Sequence, residues 1–207
     1  MHRIEWLYRD DTLLAVDKPA GLLSVPGRGE AHRECVAARV QAAVPDALVV
    51  HRLDQATSGV MLFGRGAAAQ RALSMAFAER RVAKRYEAVV HGEVTGDDGE
   101  IDLPLLTDWP NRPRQKVDHE RGKPSLTRWC VLSRDVASKT TRLQLEPVTG
   151  RSHQLRVHLA AIGHAIVGDT LYSPGATEPR LLLHACELRL PHPADGRTLV
   201  IVSALPF

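Results

Sequence analysis

Short apolar runs separated by glycine, proline and charged residues recur along the chain, and their lengths suit strands better than long helices. Runs or alternations over residues 13–17, 60–63, 85–90, 127–132, 141–146 and 199–202 predict strands. Two stretches carry helical spacing instead. Between 67 and 80, Leu73, Ala76 and Phe77 fall at i, i+3 and i+4 in an alanine-rich frame, and Arg80 and Arg81 close the stretch with the cations a helix C-terminus favours. Between 152 and 162, Leu155, Leu159 and Ile162 mark an apolar face, with Ser152 placed to cap the first turn and Gly163 to end the last. Residues 97–99 read as a turn. With no repeat of 20 to 50 residues and no low-complexity tract, the pattern predicts one sheet-rich domain with a few helices over residues 1–207.

Composition narrows this picture without changing it. Hydrophobic residues make up 44% of the 207 and charged residues 25%, ordinary usage that indicates neither disorder nor a fibrous repeat. A net charge of +3 permits an anionic partner. No apolar run approaches the roughly 20 residues of a membrane helix, and the N-terminal stretch lacks the apolar segment of a signal peptide, so a cytoplasmic protein is expected. The cysteines, Cys35, Cys130 and Cys186, are odd in number and far apart, which argues for reduced thiols.

Residues 103–124, LPLLTDWPNRPRQKVDHERGKP, contain four prolines and little periodicity, the mark of a long ordered loop or irregular arm. Arg112, Arg114, Lys116, Arg121 and Lys123 outnumber Asp118 and Glu120 there, beside Trp109. A second cationic run, RRVAKR, spans 80–85. Each run alone is explained by a solvated face; the two together with a surface aromatic point to a phosphate backbone as partner.

Three polar stretches compete for chemistry. HRLDQATSG, 51–59, lies between Val49-Val50 and the 60–63 strand and reads as a tight connection that leaves Asp54 at its apex. There Asp54 either accepts turn hydrogen bonds or faces a cleft. In PVTGRSHQLRVHL, 147–159, Arg151 precedes the helix while Arg156 and His158 emerge from it. A guanidinium so placed either holds a carboxylate ionised or binds a loop carbonyl. KRYEAVVHG, 84–92, offers Tyr86, a stacking ring with a hydroxyl, in a chain with only 4% aromatics; packing is its alternative role. Ten histidines invite a metal, but His153 and His158 do not share a helix face and His184 with Cys186 makes only a two-ligand pair. HExxH, GxSxG and a Walker loop are absent, which leaves a hydrolase a poor second reading.

Read together, these stretches resemble the RluA family of pseudouridine synthases. HRLDQATSG matches the family's HRLDxxTSG, placing its catalytic aspartate on Asp54. Lys84 to Tyr86 match a KxY element, 150–158 match GRxHQxRxH, and 163–172 resemble GHPIxGDxxY with Ala165 where the family usually has proline. RLLLHA at 180–185 looks like the family's last motif. GLLSVPGR at 21–28, DLPLLTDWPNRPRQKV at 102–117 and GKP at 122–124 extend the likeness to one subgroup of the family.

The resemblance implies an α+β pseudouridine synthase fold, its central sheet mixed but largely antiparallel, flanked by helices, with an active-site cleft across it. The N-terminus leaves no room for an RNA-binding module of S4 type. The implied reaction breaks the C1′–N1 bond of uridine, turns the uracil and rejoins it through C5, an isomerisation that requires no cofactor and no metal. It needs an ionised carboxylate and a dry site. Asp54 supplies the carboxylate, Arg151 pairs with it, Tyr86 stacks on the uracil and assists proton loss at C5, and Leu183 walls the base. Arg52 either fills the space left by the flipped base, binds a flanking phosphate, or makes a structural salt bridge. Arg112, Arg114 and Lys116 would contact RNA. The subgroup implies two substrates, a 23S rRNA loop uridine and one in the tRNA anticodon stem-loop. A monomer is the default, and a non-catalytic RNA-binding module on the same scaffold is the rival reading.

Overall fold

The structure is a computed structural model that describes residues 4–27, 34–173, 175–176 and 178–207. Arg28, the last residue of the GLLSVPGR stretch, lies outside that set. The fold is α+β and divides into two compact units, one made of residues up to Lys84 with Ala185–Pro206, the other of Arg85–His184 with Phe207.

In the first unit, strands β1 (Glu5–Arg9), β2 (Leu13–Lys18), β4 (Ser58–Arg65) and β11 (Leu183–Pro191, whose first two residues belong to the second unit) lie in that order, with β12 (Thr198–Val202) on β11 and β3 (Ala47–Val49) on β4. β1 with β2, β2 with β4, β3 with β4 and β11 with β12 are all antiparallel. LLAV and VMLF are continuous apolar runs because both faces of this sheet are covered. Leu13, Ala15, Val60 and Leu62 pack on Leu73 and Ala76 of helix α2 (Gly66–Ala78). Their neighbours Leu14, Val16, Met61 and Phe63 point the opposite way and pack on Val36, Ala37 and Val40 of helix α1 (Val36–Ala43). Helix α1 went unseen in the sequence; its N-cap is Cys35, whose buried sulfur accepts from the Ala38 amide.

The second unit holds an antiparallel sheet ordered β5 (Ala83–His91), β10 (Thr140–Pro147), β9 (Leu126–Asp135) and β6 (Asp98–Asp102). Helix α3 is Gln154–Ala161. The expected turn at 97–99 is largely strand: Asp98 and Gly99 open β6, where Gly99 pairs with Trp129 and the indole lies so close that a Cβ on residue 99 would sit 2.7 Å from it. The cationic arm is more regular than its prolines suggest. β7 (Leu105–Thr107) and β8 (Gln115–Val117) pair antiparallel, and a 3-10 turn, Trp109–Asn111, forms the tip of the hairpin.

Of the two expected helices, the 67–80 stretch forms as α2. The 152–162 stretch starts later than its capping pattern implies: His153, not Ser152, is the N-cap, in the left-handed region at φ 54°, and its side chain caps nothing. Leu155 and Leu159 are buried as expected, but Ile162 follows the helix end and is exposed. Gly163, at φ 87°, terminates the helix. Cys35, Cys130 and Cys186 form no disulfide. Among the described residues no helix is long and apolar enough to cross a membrane.

Candidate active site

Asp54 sits where the sequence places it, in the connection between β3 and β4, two strands paired to each other. Its own carbonyl accepts the Thr57 amide and closes the tip as a turn. The loop is clamped from the segment that follows β2. The Ser24 hydroxyl donates to the Leu53 carbonyl at 2.6 Å and accepts the Leu53 amide at 3.0 Å. Gly21 and Gln55 exchange two bonds, the Gly21 amide to the Gln55 carbonyl and the Gln55 side-chain amide to the Gly21 carbonyl. Leu53 is buried, whereas Asp54 keeps partial exposure on this anchored backbone.

Lys18, unremarked in the sequence, is fully buried at the end of β2 and donates to the carbonyls of Pro19 and Gln55 at 2.9 and 3.0 Å. Burial lowers its pKa from 10.5 to about 7, against the opposing pull of the Asp54 and Asp17 charges. A lysine ending an apolar strand just before Pro-Ala-Gly was the signal available, since a buried cation without a purpose is costly. His51 stacks on Phe77 with ring centroids 4.8 Å apart, and its Nε2 accepts the Leu62 amide. Burial, then the Lys84 charge, depress its pKa to about 4, so it is a neutral post of the loop. Arg52 is exposed and forms no ion pair among the described residues.

The other site candidates lie in the second unit. Tyr86 is half-buried on β5 opposite Leu145 of β10. Leu183 is 3% exposed at the start of β11. Arg151 is exposed just before α3, and its Nε donates to the Pro124 carbonyl at 3.3 Å, the loop-carbonyl contact that was one of its two readings.

The residues that hold Arg151 in place are those its motif supplies. Gln154, buried, accepts the Arg151 amide and the Thr149 hydroxyl on Oε1, and donates through Nε2 to the Leu126 carbonyl and the Thr127 hydroxyl. Arg156 is bound by Asp169 in a two-point contact, both distances 2.7 Å, with side-chain exposures of 5% and 0%. His158, fully buried, sits between the Thr127 hydroxyl and the Leu103 carbonyl at 3.0 Å each, and burial lowers its pKa. Arg156 and His158, expected to emerge from the helix, instead point into the protein. Asp169 also accepts the amides of Leu171 and Tyr172, and the Tyr172 hydroxyl accepts the Gln115 amide at 2.7 Å while meeting His153 Nδ1 at 2.8 Å. Helix α3, the 169–172 turn and the cationic hairpin are thus one hydrogen-bonded framework.

Arg112, Arg114 and Lys116 are exposed on that hairpin, as are Arg121 and Lys123; Lys116 lies 3.5 Å from Asp118. The RRVAKR run is more fully answered, Arg81 by Glu79 and Arg85 by Glu87. Among the described residues no three His, Cys, Asp or Glu side chains converge to hold a metal ion.

Residues 12–161 match the sequence profile of RNA pseudouridylate synthases. The chain is 50% identical over 204 residues to the dual-specificity RNA pseudouridine synthase RluA of Escherichia coli (strain K12), covering 97% of this chain and 93% of that one. It is 52% identical over 195 residues to the enzyme of that name from Vibrio vulnificus (strain CMCP6), covering 91% and 78%. Among solved structures, human RNA pseudouridylate synthase domain containing 1 superposes with a TM-score of 0.84 at 28% identity, over 99% of this chain and 84% of that one. Agreement of motif, fold and sequence over nearly the whole length places the chain in the RNA pseudouridylate synthase family, as an isomerase of uridine in RNA.

Proposed function

We propose that this enzyme isomerises loop uridines in both 23S rRNA and the tRNA anticodon stem-loop, with Asp54 as its indispensable carboxylate. The observation that carries the assignment is the clamp on the 51–57 loop: Lys18, Ser24, Gly21 and Gln55 fix the backbone on both sides of Asp54, a residue that is itself partly exposed. A turn residue with only a backbone to satisfy needs no such frame. The two-substrate reading rests on the relatives, whose name describes them as dual-specificity enzymes.

In the reaction the C1′–N1 bond breaks, the uracil turns, C1′ bonds to C5, the C5 proton leaves and N1 gains one. Atoms balance within the nucleotide, so the protein supplies positioning, charge and proton transfer. Asp54 acts at the sugar or the base. By resemblance, Tyr86 stacks on the uracil and assists loss of the C5 proton, Arg151 keeps the carboxylate ionised, and Leu183 is the apolar wall of the base. Arg52, exposed and without an ion pair among the described residues, fills the space left by the extruded base or binds a flanking phosphate. Extrusion costs a few kcal/mol, least in a loop where the base has no partner, which favours stem-loops as substrates. Arg112, Arg114 and Lys116 bind the phosphate backbone. The enzyme works in the cytoplasm as a monomer, without metal or cofactor.

Tritium release from uridine labelled at C5 tests this on a 23S rRNA fragment and an anticodon stem-loop separately. Wild-type release from both, abolished by Asp54→Asn, is expected. Appreciable release by Asp54→Asn overturns the role of Asp54, and release from only one RNA overturns the dual specificity.

A further inference from the structure

The hairpin tip carries a feature that phosphate binding leaves unexplained. Trp109 is 64% exposed, an unusual position for the largest apolar side chain, in a chain with three tryptophans. The Arg112 guanidinium lies over the indole, 3.4 Å from its centroid. A ring with one face under a guanidinium and that much surface in water has its other face open to a flat ligand.

The tip is also rigid. Pro110 sits in the first turn of the 3-10 segment, the Asp108 carbonyl accepts the Asn111 amide at 3.0 Å, and the Asn111 side-chain amide donates to the Asp108 carboxylate at 2.9 Å. The Asp108 amide donates to the Arg114 carbonyl, closing the loop, and the Arg114 amide donates back to the Asn111 carbonyl. Where the ladder meets the tip, the Gln115 amide is held by the Tyr172 hydroxyl. Trp109 is therefore a presented ring on an ordered support, not a side chain swept about by a mobile loop.

We propose that Trp109, backed by Arg112, is a stacking platform for one unpaired nucleobase of the RNA loop, distinct from the uridine that is isomerised. The inference rests on the RNA-modifying reading above and deepens it. Bases inside a duplex expose no face to such a ring, whereas an unpaired base can turn one to it, so the platform selects loop over stem interior without reading a particular sequence. Exposed Arg112, Arg114 and Lys116 on the same hairpin supply the field that brings an RNA backbone to it. The two functions are separable. Phosphate contacts depend on salt, and a stack on an aromatic ring scarcely does.

The test compares the full-length wild type with Trp109→Ala and Trp109→Phe, measuring Kd for the anticodon stem-loop and for a blunt duplex of the same stem across a salt series. A set of stem-loops with single abasic positions in the loop, the target uridine excepted, completes it. Trp109→Ala is expected to weaken stem-loop binding by roughly 5- to 100-fold, with the salt slope and the melting temperature unchanged and the duplex affected far less. Trp109→Phe should recover most of the loss. One abasic position should reproduce the loss in the wild type and have no further effect in Trp109→Ala. Trp109→Ala binding within twofold of wild type, or losing equally on duplex and stem-loop, overturns the platform. Failure of the wild type to release tritium from either RNA would instead overturn the pseudouridine reading, so the two cannot be confused.

Discussion

Replacing Arg156 by methionine tests the claim that the family's helix motif is chiefly a support. The guanidinium and Asp169 meet through two bonds of 2.7 Å with almost no exposure on either side chain. Arg156→Met keeps much of the side-chain volume but leaves the carboxylate buried, with the Leu171 and Tyr172 amides and no counter-charge. Breaking one side of a buried pair costs about 3–5 kcal/mol, mostly from the stranded charge. For a chain of this size about 2–4 °C of Tm accompanies each kcal/mol, so a fall of roughly 6–20 °C is expected by calorimetry. Arg156→Met combined with Asp169→Asn removes both charges and should recover a large part, leaving a coupling of at least about 1.5 kcal/mol. The 169–172 turn also presents the Tyr172 hydroxyl to the Gln115 amide, so hydrogen exchange at Gln115 should quicken in the single variant. A Tm within 2 °C of wild type (about 1 kcal/mol or less), or additive single and double effects, would refute the reasoning.

Two further outcomes concern Gly59 and His51, both in the unit that carries Asp54. Gly59 has φ 115°, and a Cβ there would lie 2.3 Å from the Ala185 carbonyl oxygen and 2.6 Å from its nitrogen, so Gly59→Ala should cost more than about 3 kcal/mol; Gly163→Ala, at positive φ in open space, should cost only about 1 kcal/mol. Equal urea midpoints for the two variants would sink the close approach of β4 to Ala185. An unfolded histidine takes up its proton near pH 6.5 and folded His51 only at about 4, so the unfolded state binds more protons in between. Stability therefore declines as pH falls from 6.5 to 4, by up to about 3 kcal/mol from this group, and His51→Asn should flatten that slope in urea titrations. An unchanged slope would show that His51 is not the group responsible.

What the sequence determined by itself was whatever depends on near neighbours along the chain. The apolar runs of β2 and β4, the alanine-rich frame of α2 and the connection bearing Asp54 were legible because strand period, helix period and turn chemistry are local signals. The motifs were legible too, but only as groups of residues without assigned burdens. The tertiary structure decided which of them face solvent and which are posts. Arg151 and Arg156 are both arginines of one motif, yet one is exposed and the other is sealed against Asp169, thirteen residues further on. Lys18 is buried because the carbonyls that receive it belong partly to a loop 37 residues away. Strands β1, β3, β6, β7 and β8 are short, and a short strand is stabilised by the partner across the ladder more than by its own residues. His153 takes the N-cap that Ser152 seemed made for because the Gln154 side chain turns back to the Arg151 amide and to β9, a constraint set by packing. In each case the missing information was the identity of a partner distant in sequence, and burial, charge pairing and register all depend on that partner.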